Sequence, residues 1–556
     1  MSRNAESHFA LNPSISIGRS KIDMSHSVKT TFNVGDLIPF DCLEVLPGDT
    51  FSIDTSKVVR MQTLVAPIMD NIYLDTYYFF VPNRLVWEHW KEFMGENTAS
   101  AWIPPTTYSI PQLTSPASTG WTSGTIADYL GIPTGVAGLS VNALPFRCVA
   151  KIIDDWFRDE NLTDPLYIST GDATVAGVNT GNYRSDVAKG GLPFKAAKYH
   201  DYFTSCLPAP QKGPDVTIPL GQNAPVYTNL PAHTGIAPGE TLPTTMLYKI
   251  TSGSFPQSYS DAIFHRTSDS TIAEMQTDLA QLSPSSGSRT IYPVNLYADL
   301  SSATGQTINA LRLAFQIQKL LEKDALNGTR YIEIIKGHFG VTSPDARLQR
   351  PEYLGGNRIP VNIHQVLSNA DTANAELGAT GAYSLTVDSH SDFTRSFTEH
   401  GYIIGLMVAR YQHSYQQGLE RQWTRKDRFD YYFPVLANIG NKAVRNDEIY
   451  AQGTSTDAQV FGYQEAWAEY RYKPNYVTGE MRSNVATSLD AWHLADQYSS
   501  LPTLSDTWIR EDKSNVDRAL MVQSSTSNQI FGDIYIKCHA TRPMPVYSIP
   551  GLIDHH

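Results

Sequence analysis

The stretch QIFGDIYIKCHATRPMPV, Gln529 to Val546, decides the fold. Ile534, Ile536, Cys538 and Ala540 fall on one side of an extended chain, and Asp533, Tyr535, Lys537 and His539 fall on the other. Successive side chains of a strand point to opposite faces, so this period of two predicts a strand with one face in a core. Pro543 and Pro545 have no N–H to give to a ladder and end it. Near the other end of the chain, a turn at Pro47-Gly48-Asp49 precedes a second alternation. There Phe51, Ile53 and Thr55 oppose Ser52, Asp54 and Ser56. Half-buried strands at both ends of one chain fit a jelly roll, in which distant segments pair.

The sequence between these strands fills in the class. Ile72 to Val81 (IYLDTYYFFV) is rich in β-branched and aromatic residues and stops at Pro82. Tyr402 to Val408 (YIIGLMV) is apolar without alternation, which predicts a strand covered on both faces. TRYIEIIKGHFG, from Thr329, reads as a further strand. Helices are expected at Trp87–Glu96, at Phe146–Glu160 and at Thr307–Asn327. In the last, Leu311, Ala314, Phe315, Gln318, Leu321 and Ala325 line up, Leu313, Ile317 and Leu320 widen the face, and Asn327-Gly328 supplies a stop. The strand–helix alternation of a parallel α/β enzyme is not seen. The expected fold is mainly β: an eight-stranded antiparallel jelly-roll sandwich with long loop insertions and a few helices.

Four regions follow. Residues 1–50 hold an N-terminal arm and the entry to the sandwich, with residues 1–35 polar and extended. Residues 51–207 carry the first part of the jelly roll with loop and helical insertions. Residues 208–293 hold 11 of the chain's 33 prolines, which excludes a long helix or a central strand and predicts an insertion of loops and short edge strands. Residues 294–556 complete the jelly roll and its interface loops.

Composition narrows the function. The 556 residues carry a net charge of −12. A protein that wrapped nucleic acid unaided should be basic, so nucleic-acid contact here is local or shared with a cationic partner. Cys42, Cys148, Cys206 and Cys538 are widely spaced, which suggests neither a zinc site nor a disulfide framework but free thiols in a reducing cytoplasm. The start lacks the apolar segment of a signal peptide and no apolar run is long enough for a bilayer, which predicts a soluble chain not exported by that route. Phosphate-binding loops, HExxH and GxSxG are absent. Fifteen histidines are scattered without ligand spacing, and the carboxylate pairs Asp154-Asp155 and Asp41/Glu44 read as solvated or cation-binding. No catalytic residue, metal ligand or cofactor is assigned.

Two segments carry the candidate contacts. FGYQEAWAEYRYKPNYVTGEMR, Phe461 to Arg482, mixes aromatics with charge. Trp467, Tyr470, Arg471, Tyr472 and Tyr476 are candidate subunit-interface residues, because aromatics and arginine bring large area and few rotors to a contact. The competing reading is a core segment with its hydroxyls outward. ERQWTRKDRFDYYF, from Glu420, interleaves cations with rings: Arg421, Trp423, Arg425, Lys426 and Arg428 are candidate contacts to single-stranded DNA, as are Arg3, Arg19 and Lys21 of the arm. A subunit interface with arginine ion pairs is the other reading of this cluster.

The blocks Ile317–Gly356, Lys29–Phe51 and Phe461–Arg482 resemble, in order along most of the chain, the major capsid proteins of gokushovirus-type microviruses, small icosahedral single-stranded-DNA bacteriophages. The Pro-rich insertion is where the resemblance is weakest. It implies a jelly-roll subunit that assembles with identical copies into a T=1 icosahedral shell around the genome, in the virion after assembly in the host bacterial cytoplasm. It further implies insertion loops protruding at the threefold axes toward a host-cell receptor, and a small basic internal DNA-binding protein as partner. The competing function is a carbohydrate-active or carbohydrate-binding β-sandwich.

Overall fold

The computed structural model describes residues 18–97, 107–214, 216, 226–228, 247–252, 261–266, 273–276, 289–293, 296–298, 308–371 and 377–547. They divide into two compact units, Met1–Lys212 with Glu322–His556, and Gly213–Leu321.

The first unit is built on nine strands: β1 (Ser20–Asp23), β2 (His26–Phe32), β3 (Asp36–Val45), β4 (Thr50–Met61), β5 (Ile72–Pro82), β6 (Glu352–Pro360), β7 (Thr386–Ser396), β8 (Gly401–Tyr411) and β9 (Ile530–Arg542). In one sheet β1 and β2 pair with β9, β9 with β4, and β4 with β7. In the other the order is β6, β5, β8, β3, with the short strand Phe194–Lys195 at its edge. All these pairings are antiparallel. From β2 to β5 the chain changes sheet at every step, and from β6 to β9 it does so again. This is the alternation of a jelly-roll sandwich. The alternating strands behave as their sequence predicts. Phe51, Ile53, Ile534, Ile536, Cys538 and Ala540 are buried between the sheets, and Cα pairing sets Ile536 opposite Thr55 and Cys538 opposite Ile53.

The second sheet is covered on both faces. In β8, Ile403, Met407, Ala409 and Tyr411 face the inter-sheet core. Tyr402, Ile404, Leu406 and Val408 face a second apolar layer outside it. That layer is supplied by the excursion after β5. Helix α1 (Leu144–Ile152) buries Leu144, Phe146, Cys148, Val149 and Ile152. A π-helical turn over Ile153–Phe157 then lays Phe157 5.1 Å from Tyr77 and Trp156 5.3 Å from Phe79, centroid to centroid. Among the described residues the first sheet's outer face has no such layer. Its hydroxyls pair across the strands instead, Thr50 with Ser396 at 2.8 Å and Ser52 with Thr394 at 2.9 Å.

Six expectations are corrected. The arm ends by Ser20, because β1 and β2 find an open edge on β9. The segment read as a strand from Thr329 is helix α3 (Tyr331–Phe339), preceded by helix α2 (Ile308–Asn327). Its start is fixed by the Glu333 carboxylate, which accepts the Arg330 backbone N–H at 3.2 Å, and its end by Gly340 at φ 69°. Those local contacts outweigh the strand preference of its isoleucines. Trp87–Glu96 is helical only over Trp90–Phe93, and Trp87 is buried with its indole N–H on Asp172 at 2.7 Å. Asp41 is not solvated but buried, near the Tyr78 hydroxyl and His26. In α2 the predicted apolar face is not a core face: Ala325 is its buried residue, while Leu313 and Phe315 stand exposed. Pairing in the described strands of Gly213–Leu321 places Leu247–Ser252 at the centre of a four-stranded sheet, a position the prolines were expected to exclude.

Past the end of β8, a buried ionic cluster fixes the direction of the chain. The His413 side chain is 1% exposed; its Nδ1 lies 2.9 Å from Asp496 and its Nε2 3.0 Å from Glu511. With a carboxylate at each ring nitrogen the imidazole has to donate twice, so it is the protonated form. Burial opposes that charge, but the two carboxylates override it and raise the pKa to about 10. Burial likewise pushes Asp496 up, yet His413 and Lys198, 3.6 Å away, hold its carboxyl well below the usual range. The described residues contain no helix long and apolar enough to cross a membrane.

A candidate aromatic and basic groove

Two residues beyond His413, the Tyr415 hydroxyl donates to Asp201 at 2.6 Å, and Gln416 exchanges hydrogen bonds with Ser483, its amide to Oγ and its Oε1 from the backbone N–H, both at 2.9 Å. These ties bring the chain from β8 alongside the end of the Phe461–Arg482 segment. Between them lies an antiparallel hairpin, Asn441–Arg445 with Val460–Glu465. Leaving that hairpin, Trp467 adopts φ 67°, a left-handed conformation that strains a non-glycine residue by about 1–3 kcal/mol. Its side chain holds the kink in place. The indole N–H donates to Leu436 O at 2.8 Å, the Lys442 ammonium sits 3.9 Å above the ring, and Tyr432 meets it edge-on at 5.7 Å.

Trp467 is therefore packed within its own chain, and Tyr472 largely so, stacked on Tyr202 with centroids 5.2 Å apart. Tyr470, Arg471 and Tyr476 are exposed. The segment divides residue by residue between packed and exposed side chains. Arg471 pairs with Glu465 at 2.6 Å in the open, a geometry that contributes little to stability.

The structure joins the two candidate segments. Arg425 donates to the Tyr470 hydroxyl, its guanidinium lies 4.3 Å from that ring and it faces Glu469 at 3.8 Å. Lys473 reaches back to Glu420 at 2.6 Å. Together with Tyr202, Phe203 and Tyr415 they wall a groove of about 800 Å³. Arg421 is anchored to Glu448 at 2.9 Å and to Ala443 O at 2.7 Å. Burial pushes the Glu448 carboxyl up, against the pull of Arg421. Trp423 is 70% exposed on the groove wall. Arg428 has its guanidinium 5.0 Å from the Phe429 ring. The chain then presents an apolar belt to solvent: Phe429, Tyr431, Tyr432, Phe433 and Val435, the last 93% exposed.

On the far side of Arg421 and Arg425, a smaller pocket of about 190 Å³ is walled by these two with Thr424, Lys426, Asp427, Asp430, Lys442 and Arg445. Lys442 and Arg445 escaped the sequence reading; their signal was only an alternating NKAVR, which says strand and nothing of partners. Tyr202 and Phe203 escaped it because they arrive from a distant part of the chain. Of the arm's cations, Arg19 lies beside Gly48 and Lys21 is exposed on β1, and neither lines the groove; Arg3 lies outside the described residues. No group of three or more His, Cys, Asp or Glu among the described residues is arranged to hold a metal.

An anchored groove flanked by an exposed apolar belt offers surfaces for contact rather than a reaction centre, and the comparisons agree. Residues 11–552 match the family described as capsid protein (F protein). Capsid protein VP1 of Spiroplasma virus 4 is 42% identical over 99% of this chain and 98% of its own length. VP1 of Bdellovibrio phage phiMH2K is 40% identical over 99% and 98%, and VP1 of Chlamydia phage 1 is 40% identical over 98% of each. These relatives are structural capsid proteins of gokushovirus-type microviruses, which sets the carbohydrate-active reading aside. The chain belongs to the capsid protein (F protein) family: it is a virion component that assembles with copies of itself, and not an enzyme.

Proposed function

We propose that this chain is the major capsid protein of a T=1 icosahedral shell enclosing a single-stranded DNA genome. The observation that carries the reading is the belt from Phe429 to Val435. Five large apolar side chains stand in solvent on a segment whose two flanks are tied down by buried groups, Arg421 on Glu448 and Trp467 on Leu436. Exposed aromatic area on a rigid support is what subunit contacts use, and the entropy of holding it in place has already been met within the subunit. Subunit contacts are assigned to this belt with the adjoining Tyr470, Arg471 and Tyr476. Trp467 and Tyr472 act from beneath, by holding the surface in shape.

The genome-facing candidates are Arg421, Trp423, Arg425, Lys426 and Arg428, with Arg3, Arg19 and Lys21 as the arm's contribution. A net charge of −12 cannot offset packaged phosphate, which supports a small basic internal protein as a further partner. The insertion at 208–293 is the candidate protrusion at the threefold axes and the point of contact with a host receptor, since a proline-dense insertion tolerates sequence change. Expression of the chain alone or with such a basic protein, followed by sedimentation and electron microscopy, tests the reading. Closed particles of T=1 geometry are expected; a preparation that stays monomeric under all assembly conditions refutes it.

A further inference from the structure

The basic pocket behind the groove has more positive charge than its surroundings use. Arg421 and Arg445 pair with Glu448 and Asp447, and Arg425 faces Glu469. Lys426 and Lys442 make no ion pair among the described residues. The pocket's own carboxylates are engaged with backbone: Asp430 accepts the N–H of Lys426 at 2.8 Å and of Asp427 at 3.2 Å, and Asp427 accepts that of Phe429 at 2.8 Å. Two donors in the wall are unmet, the buried Nε of Arg425, whose side chain is 9% exposed, and the buried Nε of Arg445. Lys442 gives the same sign: burial and the nearby guanidinium of Arg421 lower its pKa, as expected of a cation crowded by its own kind.

The size and donor set fit one tetrahedral oxyanion. Guanidinium forks match phosphate oxygens, lysines add point charge, and the Thr424 hydroxyl sits in the wall. Arg421 and Arg425 are shared with the groove, where Trp423 offers an open ring face. We propose that Arg421, Arg425, Lys426, Lys442 and Arg445 form a phosphate-binding pocket that, with Trp423 stacking an adjacent base, takes one nucleotide of single-stranded DNA without regard to sequence. This deepens the genome-contact reading above and rests on it.

Binding of oligo(dT), of an abasic deoxyribose-phosphate oligomer and of inorganic phosphate to the soluble full chain tests the site, followed by tryptophan fluorescence and competition. Lys426→Gln, at an exposed position that folding does not need, is expected to weaken both oligomers and to lower the salt slope of binding by roughly 0.7, the value for one phosphate contact on a single strand. Lys442→Gln is expected to do the same, with Lys442→Arg restoring it. Trp423→Ala is expected to weaken oligo(dT) about 5- to 150-fold and to leave the abasic oligomer unchanged. Inorganic phosphate should compete only weakly. Unchanged oligomer binding in both lysine variants overturns the pocket, and so does phosphate binding as tight as that of oligo(dT), which would make it a site for the free ion. Particle formation is read on the same preparations. Wild-type particles whose subunits ignore all three probes sink this site alone, whereas wild-type chain that binds oligo(dT) through Lys426 but never assembles sinks the shell reading alone.

Discussion

Trp87, Trp121 and Phe146 lie fully buried against the outer face of the second sheet, whereas Trp423, Phe429 and Val435 stand 70, 64 and 93% exposed beyond the end of β8. Both sets sit in excursions from the sandwich, and both mix rings with arginine and acid. What differs is what lies beneath. β5, β8 and β3 present apolar side chains outward at Phe79, Val81, Ile404, Leu406, Val408 and Leu37. Leaving that face in water would forfeit about 1.5–3 kcal/mol per side chain, so the first excursion is drawn over it. The belt from Phe429 to Val435 runs through single turns of 3₁₀ helix, Arg428–Asp430 and Pro434–Leu436, and its side chains stand in solvent. Ring content does not say whether a segment goes inside; an uncovered apolar face within reach does. The subunit contact proposed above supplies the face for the second set.

The comparison breaks first at its buried side. Trp87→Ala removes a fully buried indole and its hydrogen bond to Asp172, and is expected to lower stability by about 3–5 kcal/mol. Denaturant melts of the soluble subunit measure this, and a midpoint equal to wild type would mean that the layer is decoration rather than core. A loss of similar size is expected at the clamp that aims the chain from β8 toward the groove. His413→Gln leaves Glu511 buried without its cation and Asp496 with Lys198 alone, at about 3–5 kcal/mol.

The clamp also predicts a pH response. The folded pKa of His413, about 10, lies above the ordinary 6.5, so its stabilisation is complete below about 6.5 and disappears as pH rises through 10. Asp496 has a depressed pKa, so its part is present above the ordinary 3.8 and is lost as pH falls below it. The thermal midpoint should therefore fall between pH 7 and pH 10 in the wild type, and His413→Gln should flatten that fall. An equal decline in both proteins would mean that other groups carry it.

The sandwich was legible because its strands repeat a period that survives translation into structure. Ile534 to Ala540 and Phe51 to Thr55 alternate in sequence and in burial alike. The unbroken apolar run at Tyr402 signalled a strand with two covered faces. Helix α3 was not legible, because isoleucines at 332, 334 and 335 favour a strand until a glutamate three residues past Arg330 and a terminal glycine are weighed together. Within Phe461–Arg482 the composition pointed to contact but could not sort Trp467 from Tyr476. The first is held inside by a carbonyl at Leu436 and an ammonium at Lys442, the second is 61% exposed, and no periodicity separates them. The groove depended on partners far apart in sequence, Tyr202 with Tyr472 and Arg421 with Glu448, which a single chain does not reveal before it folds.

The mildest change to the fold is the sharpest test of the exposed side. Val435→Ser removes two methyl groups from a side chain that is 93% exposed, and surface changes of this kind move stability by less than about 0.5 kcal/mol. The melting curve of the subunit should not shift. If the belt meets a neighbouring copy, each subunit loses apolar burial at a contact repeated around the shell, so a loss of about 1 kcal/mol per contact multiplies through a closed assembly. Sedimentation should then show wild-type particles at a subunit concentration where Val435→Ser remains unassembled, with assembly returning as concentration rises. Particles forming at the same threshold would place Val435 on an open face of the shell and shift the subunit contact along the belt to Phe429 and Phe433.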